Sequence, residues 1–239
     1  MATGLMVDTV LPPQTLLSLG DDPVSKRLWQ DVTFLDEPCC QICGYPFEYE
    51  TTLVSLCAAC STRAPQYSSA RSALQYDDGS RSLILGFKHG GRTEALSMFA
   101  AQMRRAGRRK LKDADYIIPV PLHMNRLVKR RYNQSALLGR ALSKISSPAF
   151  SPDMLMRVRA TSSQGGKSMS ARRRNVKGAF AIRESAKVKL KGANIILVDD
   201  VMTTGATIEA CAQVLFHAGA GEVNGLCLAR VVRPQKLPT

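Results

Sequence analysis

Two groups of residues in this chain have the types and spacing to do chemistry. The first follows the apolar run Ile195–Val198: two adjacent acids, Asp199 and Asp200, then Thr203, Thr204, Gly205, Ala206 and Thr207. A carboxylate accepts hydrogen bonds from both hydroxyls of a vicinal diol, and it repels a phosphate. The residues that follow suit the phosphate instead. Threonine hydroxyls donate, a glycine lets backbone N–H groups approach closely, and the N-terminus of a following helix favours an anion. Diol first and phosphate second describes a ribose 5-phosphate site.

The second group is Cys40, Cys43, Cys57 and Cys60, two Cys-x-x-Cys pairs with thirteen residues between them. Each pair can curl into a turn that presents two thiolates to one ion, and Gly44 suits the first turn. Four thiolates make the closed tetrahedral shell of a structural Zn²⁺ site, which supports folding and leaves no position open for catalysis. Cys39 is a rival ligand by adjacency, but its spacing to Cys43 makes it the second choice. Buried reduced thiols or a redox pair are the competing readings. Seven cysteines arranged this way do not form a secreted disulfide framework.

The elements that must position these groups alternate between strand and helix. Thr93 to Arg105 reads as a helix capped by Thr93 and stopped by Gly107. Asp115–Pro121 reads as a short buried strand, and Asn125 to about Ser146 as one long amphipathic helix. Ser168–Val176 reads as a short basic helix. Ala179–Ile182 and Asn194–Asp200 read as strands, Ala206–Ala218 as a helix ended by Gly219, and Glu222–Val232 as the last strand. Such alternation predicts a largely parallel sheet covered on both faces. In such a sheet ligands bind beyond the carboxyl ends of the strands, where the acid pair falls.

The formal charge is +14, and residues 101–192 hold 23 of the 33 Lys and Arg with only four acids. That bias points to a polyanionic partner, nucleic acid or a phosphorylated metabolite. No apolar run reaches the ~18 residues that span a bilayer. The first twenty residues lack a basic start and are interrupted by Asp8, Pro12 and Pro13, so they read as a leader and not a signal peptide. A cytoplasmic protein with no membrane insertion is the expectation. The division expected is a partly flexible leader (1–35), a four-Cys module (36–66) and an α/β domain (80–235).

Ile195–Thr207, "IILVDDVMTTGAT", resembles the signature of type I phosphoribosyltransferases, which bind phosphoribosyl pyrophosphate. The likeness extends to an ordered set of motifs: the four cysteines, "FKHGGR", "IIPVPLHMNRLVKRRYNQS", "RVRATSSQGGKSMSARRRNVKGAF" and "LCLAR". Together, over about residues 38–232, these resemble the ComF (competence protein F) family. Its members are phosphoribosyltransferase-like proteins linked to uptake of single-stranded DNA in natural transformation.

The resemblance implies a type I phosphoribosyltransferase fold, a central mostly parallel sheet flanked by helices, with a small N-terminal zinc-ribbon module as a hood. It implies phosphoribosyl pyrophosphate bound with Mg²⁺, and substitution at the anomeric carbon of the sugar. Val120, Pro121, Leu122 and His123 would form the pyrophosphate loop, with Arg126 gripping phosphate. Arg159, Thr161, Gln164 to Arg172 and Asn175 would form a closing loop made mobile by Gly165 and Gly166. Asp199, Asp200 and Arg126 would be the catalytic residues, with Thr203 to Thr207 on the 5-phosphate. Two departures stand out: Arg131 occupies a position where the family usually has glycine, and Lys167 one where leucine is common. Single-stranded DNA and the DNA-uptake machinery are the implied partners. Two other readings stay open. One is a salvage or regulatory phosphoribosyltransferase. The other is a non-catalytic DNA-binding module using Arg104–Lys112, Lys129–Arg131 and Arg172–Lys177.

Overall fold

The computed structural model of the chain describes residues 31–48, 55–89, 95–161 and 168–232. Among them seven strands form: β1 (Ser69–Gln75), β2 (Tyr116–Pro119), β3 (Ala149–Phe150), β4 (Leu155–Arg157), β5 (Phe180–Ile182), β6 (Asn194–Met202) and β7 (Glu222–Arg230). Five of them make one sheet in the order β1-β7-β6-β2-β3, every neighbouring pair parallel. β4 and β5 form a separate antiparallel pair. The α-helices are α1 (Ala58–Thr62), α2 (Asp78–His89), α3 (Leu96–Lys112), α4 (Met124–Arg130), α5 (Gln134–Ser143), α6 (Met169–Val176), α7 (Lys187–Leu190) and α8 (Ala206–His217).

The sheet has a core on each face, which explains the uninterrupted apolar run at its centre. Ile196 and Val198 join a cluster with Phe87 of α2, Phe99 and Met103 of α3, and Leu138 and Leu142 of α5. Ile195 and Leu197 join the other, with Ile208 and Leu215 of α8, Phe180 of β5 and the four paired cysteines. Each of Ile195–Val198 is at most 1% exposed. Burial of that kind contributes about 1.5–3 kcal/mol per side chain.

Three local features depart from the sequence reading. The helix expected from Thr93 runs through Gly107 to Lys112, and Thr93 lies outside the described residues. Gly107 is not a stop. A Cβ there would lie 2.7 Å from Leu226 Cδ2, so the missing side chain lets α3 sit close on β7. Ser69–Gln75, to which the sequence reading assigns no element, forms the edge strand β1. The chain before the cysteines lines its far side: Leu35 N–H donates to Ala73 O at 2.9 Å and Gln75 N–H to Thr33 O at 2.8 Å.

The third departure is the helix expected over Asn125–Ser146, which is two helices. His123 caps α4 by accepting from Asn125 N–H on Nδ1 (3.3 Å), and Asn133 caps α5 by accepting from Ser135 N–H (3.1 Å). Between them Arg131 closes α4 with φ 65°, the left-handed region, its N–H donating to Leu127 O at 2.7 Å. It is the one non-glycine residue with positive φ among those described. Glycine at this position costs nothing sterically, whereas an L-residue with a Cβ is penalised by about 1–2 kcal/mol.

Arg131→Gly is therefore expected to stabilise the protein by about 0.5–1 kcal/mol. The gain is the relieved strain less the larger backbone entropy of glycine in the unfolded chain. Chemical denaturation reads it directly. An unchanged or lower midpoint would show that the strain does not exceed the entropic cost of glycine.

Candidate active site and metal centre

β6 continues in register to Met202, which pairs with Arg230, so the two acids lie within the strand and not in a turn. Successive strand side chains point to opposite sides, so the acids divide their tasks. Asp199 Oδ1 accepts from Ser135 Oγ at 3.0 Å and from Asp200 N–H at 2.9 Å, which ties the acid to the start of α5. Asp200 Oδ1 accepts from Val201 N–H at 2.5 Å. Both residues are half-buried.

After Met202 the chain turns through Thr203, Thr204 and Gly205 into α8. Gly205 holds φ 75° at the head of the helix, which no side chain caps. The position is closed as well as left-handed: a Cβ would lie 2.9 Å from Met202 Cε and 3.2 Å from the Tyr67 hydroxyl. Thr204 Oγ1 is buried and makes no hydrogen bond among the described residues. Such an orphan is costly, and an anionic oxygen at the helix head would satisfy it. Ala206 and Thr207 begin the helix.

The neighbouring strand supplies a second loop at the same end. β2 pairs with β6 through Pro119↔Val198, and Val120 N–H donates to Val198 O at 2.9 Å. Val120 to His123 therefore sit beside Asp199 and Asp200. Val120 O is held by Asn133 Nδ2 at 3.0 Å, and Tyr132 Oη donates to Phe87 O at 2.7 Å, so the Tyr-Asn-Gln segment braces the loop. Arg126 lies in the first turn of α4. Of the expected closing loop, residues 162–167 lie outside the described residues, including Gln164, Gly165, Gly166 and Lys167. Arg159 spans its base, donating to the carbonyls of Asn175 (3.0 Å) and Lys177 (2.6 Å).

One residue absent from the sequence reading joins several of these parts. Glu209, in the first turn of α8, is 4% exposed. Its carboxylate meets Arg63 Nη2 at 3.0 Å, just after α1, and Arg173 Nε at 3.3 Å, on α6. An acid at the head of this helix would repel a phosphate, and two guanidinium groups cancel that charge while pinning two other elements to α8.

Cys40, Cys43, Cys57 and Cys60 converge: all four are buried, and their sulfurs lie within 4.8 Å of one another. Cys43 Sγ and Cys57 Sγ are 3.6 Å apart. Four sulfurs at ~2.3 Å from a tetrahedral ion are about 3.8 Å from each other, so the cluster fits a metal such as zinc. The first turn is closed by Gly44 N–H to Cys40 O (2.8 Å), the second by Cys60 N–H to Cys57 O (2.9 Å). Gly44 has φ 69°, and a Cβ there would lie 2.6 Å from Ala70 O, so only glycine lets this turn dock on β1. The four thiols are coupled: hydrogen bonds within the cluster lower the pKa of Cys40 and raise those of Cys43 and Cys60. Cys39 is outside the cluster, and burial raises its pKa, as it does for Cys211 and Cys227 in the sheet core.

The basic segments do not form one face. α3 packs on one side of the sheet, whereas Val176 of α6 belongs to the core on the other. Part of the charge is also spent within the fold: Arg105 pairs with Asp36, Arg109 with Glu37 (2.9 Å) and Lys110 with Glu222 (2.5 Å). No helix among the described residues is long and apolar enough to cross a membrane.

A family model described as "Phosphoribosyl transferase domain" matches residues 100–238. With the parallel sheet, this makes the chain a phosphoribosyltransferase-domain protein. Its relatives narrow the class. The DNA utilization protein YhgH of Escherichia coli O157:H7 is 32% identical over 202 residues, 82% of this chain and 86% of that one. Competence protein F of Haemophilus influenzae is 32% identical over 198 residues, 81% of this chain and 85% of that one. Competence protein ComFC of Bacillus subtilis is 26% identical over 199 residues, 80% and 77% of the two chains. The chain belongs to the ComF (competence protein F) family.

Cys57→Ser is expected to lower the zinc content of the purified protein well below about one ion per chain, because it removes one of four ligands. It should also lower the thermal midpoint. Full zinc content in the variant would remove Cys57 from the ligand set.

Proposed function

We propose that the chain binds phosphoribosyl pyrophosphate together with Mg²⁺ at the carboxyl ends of β2 and β6, and that it acts in handling single-stranded DNA during natural transformation. The observation that carries the sugar-phosphate reading is the meeting of three features at one sheet edge. These are a half-buried acid pair, a left-handed glycine with an orphaned threonine hydroxyl at a helix head, and the Val120–His123 loop beside them.

In this reading Asp200 accepts hydrogen bonds from the ribose hydroxyls, and Asp199, fixed by Ser135, sets the edge of the same site. Thr203, Thr204 and Thr207 donate to the 5-phosphate, together with the N–H groups of the Gly205–Thr207 turn. Val120 to His123 hold the pyrophosphate from the other side, and Arg126 adds a forked cation. Bound Mg²⁺ supplies charge neutralisation for the pyrophosphate. The residues around Arg159–Asn175 exclude water from the sugar when they close. The four-Cys module, about residues 36–66, holds Zn²⁺ in a structural role and forms a hood over the α/β domain of about residues 80–235. The DNA reading is supported by the relatives, named a DNA utilization protein and a competence protein, and by the charge of +14.

Calorimetric titration of phosphoribosyl pyrophosphate with Mg²⁺ into the protein is expected to show saturable binding. Asp200→Asn and Thr204→Val should each weaken it about ten-fold or more, the loss of a hydrogen bond to a charged partner. No binding to the unaltered protein would sink the sugar-phosphate reading. Binding of a labelled single-stranded oligonucleotide is expected to fall steeply with rising salt, as phosphate contacts release counterions. Salt-insensitive binding, or none, would count against DNA as the partner.

A further inference from the structure

The last motif of the sequence, "LCLAR", ends in Arg230 at the carboxyl end of β7, and nothing in the sugar-phosphate site uses it. Arg230 is 7% exposed. A guanidinium cannot shed its proton in a protein, so this charge is buried permanently. Among the described residues no carboxylate pairs with it, and its Nε makes no hydrogen bond. A buried cation without a counter-charge is strongly disfavoured.

Besides the Met202 sulfur, 4.0 Å from Nη1, the groups that face it belong to the N-terminal cysteine segment. Arg230 Nη1 donates to Cys43 O, and Nη2 lies 3.6 Å from Cys43 Sγ, within reach of a hydrogen bond to sulfur. The guanidinium also lies over the Tyr45 ring, 5.3 Å from its centroid, on the same module. Four thiolates around a divalent ion carry a net charge of about −2. That is the missing counter-charge. Arg71, which also reaches the module, behaves differently: its Nη1 donates to the carbonyls of Gln41 (3.0 Å) and Ala70 (2.8 Å), neither of them a sulfur.

We infer that Arg230 is a positioning residue for the metal centre: its fixed positive charge balances the four-thiolate cluster through Cys43 and locks the N-terminal module to the last strand of the sheet. The same residue pairs across the sheet with Met202, and Val231 N–H donates to Met202 O at 2.9 Å. Met202 immediately precedes the Thr203–Thr207 turn. Arg230 thus links Cys43 to the strand end that leads into that turn.

The test uses the full-length zinc-loaded protein and reads zinc release into an excess of a coloured chelator. Arg230→Gln keeps a donor and removes the charge, and it is expected to release zinc about ten- to a hundred-fold faster, the usual effect of losing a partner that orients a metal ligand. Arg230→Lys restores the charge and should recover most of the wild-type rate. In the cobalt-substituted protein the thiolate-to-metal charge-transfer bands should move to lower energy in Arg230→Gln and stay in place in Arg71→Met. Wild-type zinc release by Arg230→Gln would overturn the inference. So would release by Arg230→Lys as fast as by Arg230→Gln, or an equal band shift in Arg71→Met, since shape and docking would then account for the effect. These readouts involve no phosphoribosyl pyrophosphate, so they stand apart from the test of the sugar-phosphate reading.

Discussion

The pairing of β6 between β2 and β7 is the constraint on which the rest of the molecule depends. From Ile195 to Val198 β6 is buried on both faces and carries only apolar side chains, and the acids appear where its burial relaxes. Its parallel neighbours end at the same edge. β2 delivers Val120 to His123 there, and β7 delivers Arg230. The acid pair, the Thr203–Thr207 turn and the contact from Arg230 to Cys43 are brought to one end of the sheet by strand register. A one-residue slip of β6 would turn Asp199 and Asp200 toward the wrong sides and break all three relations together.

Charge burial is the second organising force, and it works through two residues of opposite sign. Glu209 sits at the head of α8, where its charge opposes any phosphate in the adjoining turn. Arg63 and Arg173 neutralise it, and in doing so attach the end of the cysteine module and the α6 helix to the phosphate turn. Arg230 buries a positive charge near the other side of that turn, against Cys43. Both residues are costly in isolation and tolerable only with their partners in place. Each therefore makes the placement of the N-terminal module and the order of the Thr203–Thr207 turn depend on one another.

Much of this was legible in the sequence, for physical reasons that also explain what was not. The parallel α/β architecture shows in the alternation of apolar runs with amphipathic stretches, and the four-cysteine cluster shows because Cys-x-x-Cys spacing is itself a geometric statement. β1 is hidden because "SARSALQ" has neither an apolar run nor a clean alternation. It is an edge strand whose outer side is covered by residues 32–35 and the cysteine turns, so its burial comes from distant parts of the chain. The break between α4 and α5 is hidden because arginine occupies the turn where glycine would have announced it. Gly107 misleads in the opposite sense, since a glycine that serves close packing looks the same in sequence as one that ends a helix. Glu209 and Arg230 are invisible as functional residues because their meaning lies in partners far away in sequence, Arg63 in one case and Cys43 in the other.

The strong positive charge, the plainest feature of the composition, takes on a different meaning once it is mapped. α3 runs down to the start of β2, and Lys110 meets Glu222, the first residue of β7, so its basic end lies at the amino ends of the strands. The acid pair and the phosphate turn lie at the carboxyl ends. β6 is nine residues long, so the two are separated by about 26 Å. At ordinary ionic strength exposed charges are screened over about 8–10 Å, so α3 does little to hold a small phosphorylated ligand in the β6 turn. The basic end of α3 and the acid pair with its turn thus lie toward opposite ends of the sheet, so the positive charge of the composition is not gathered around the acids.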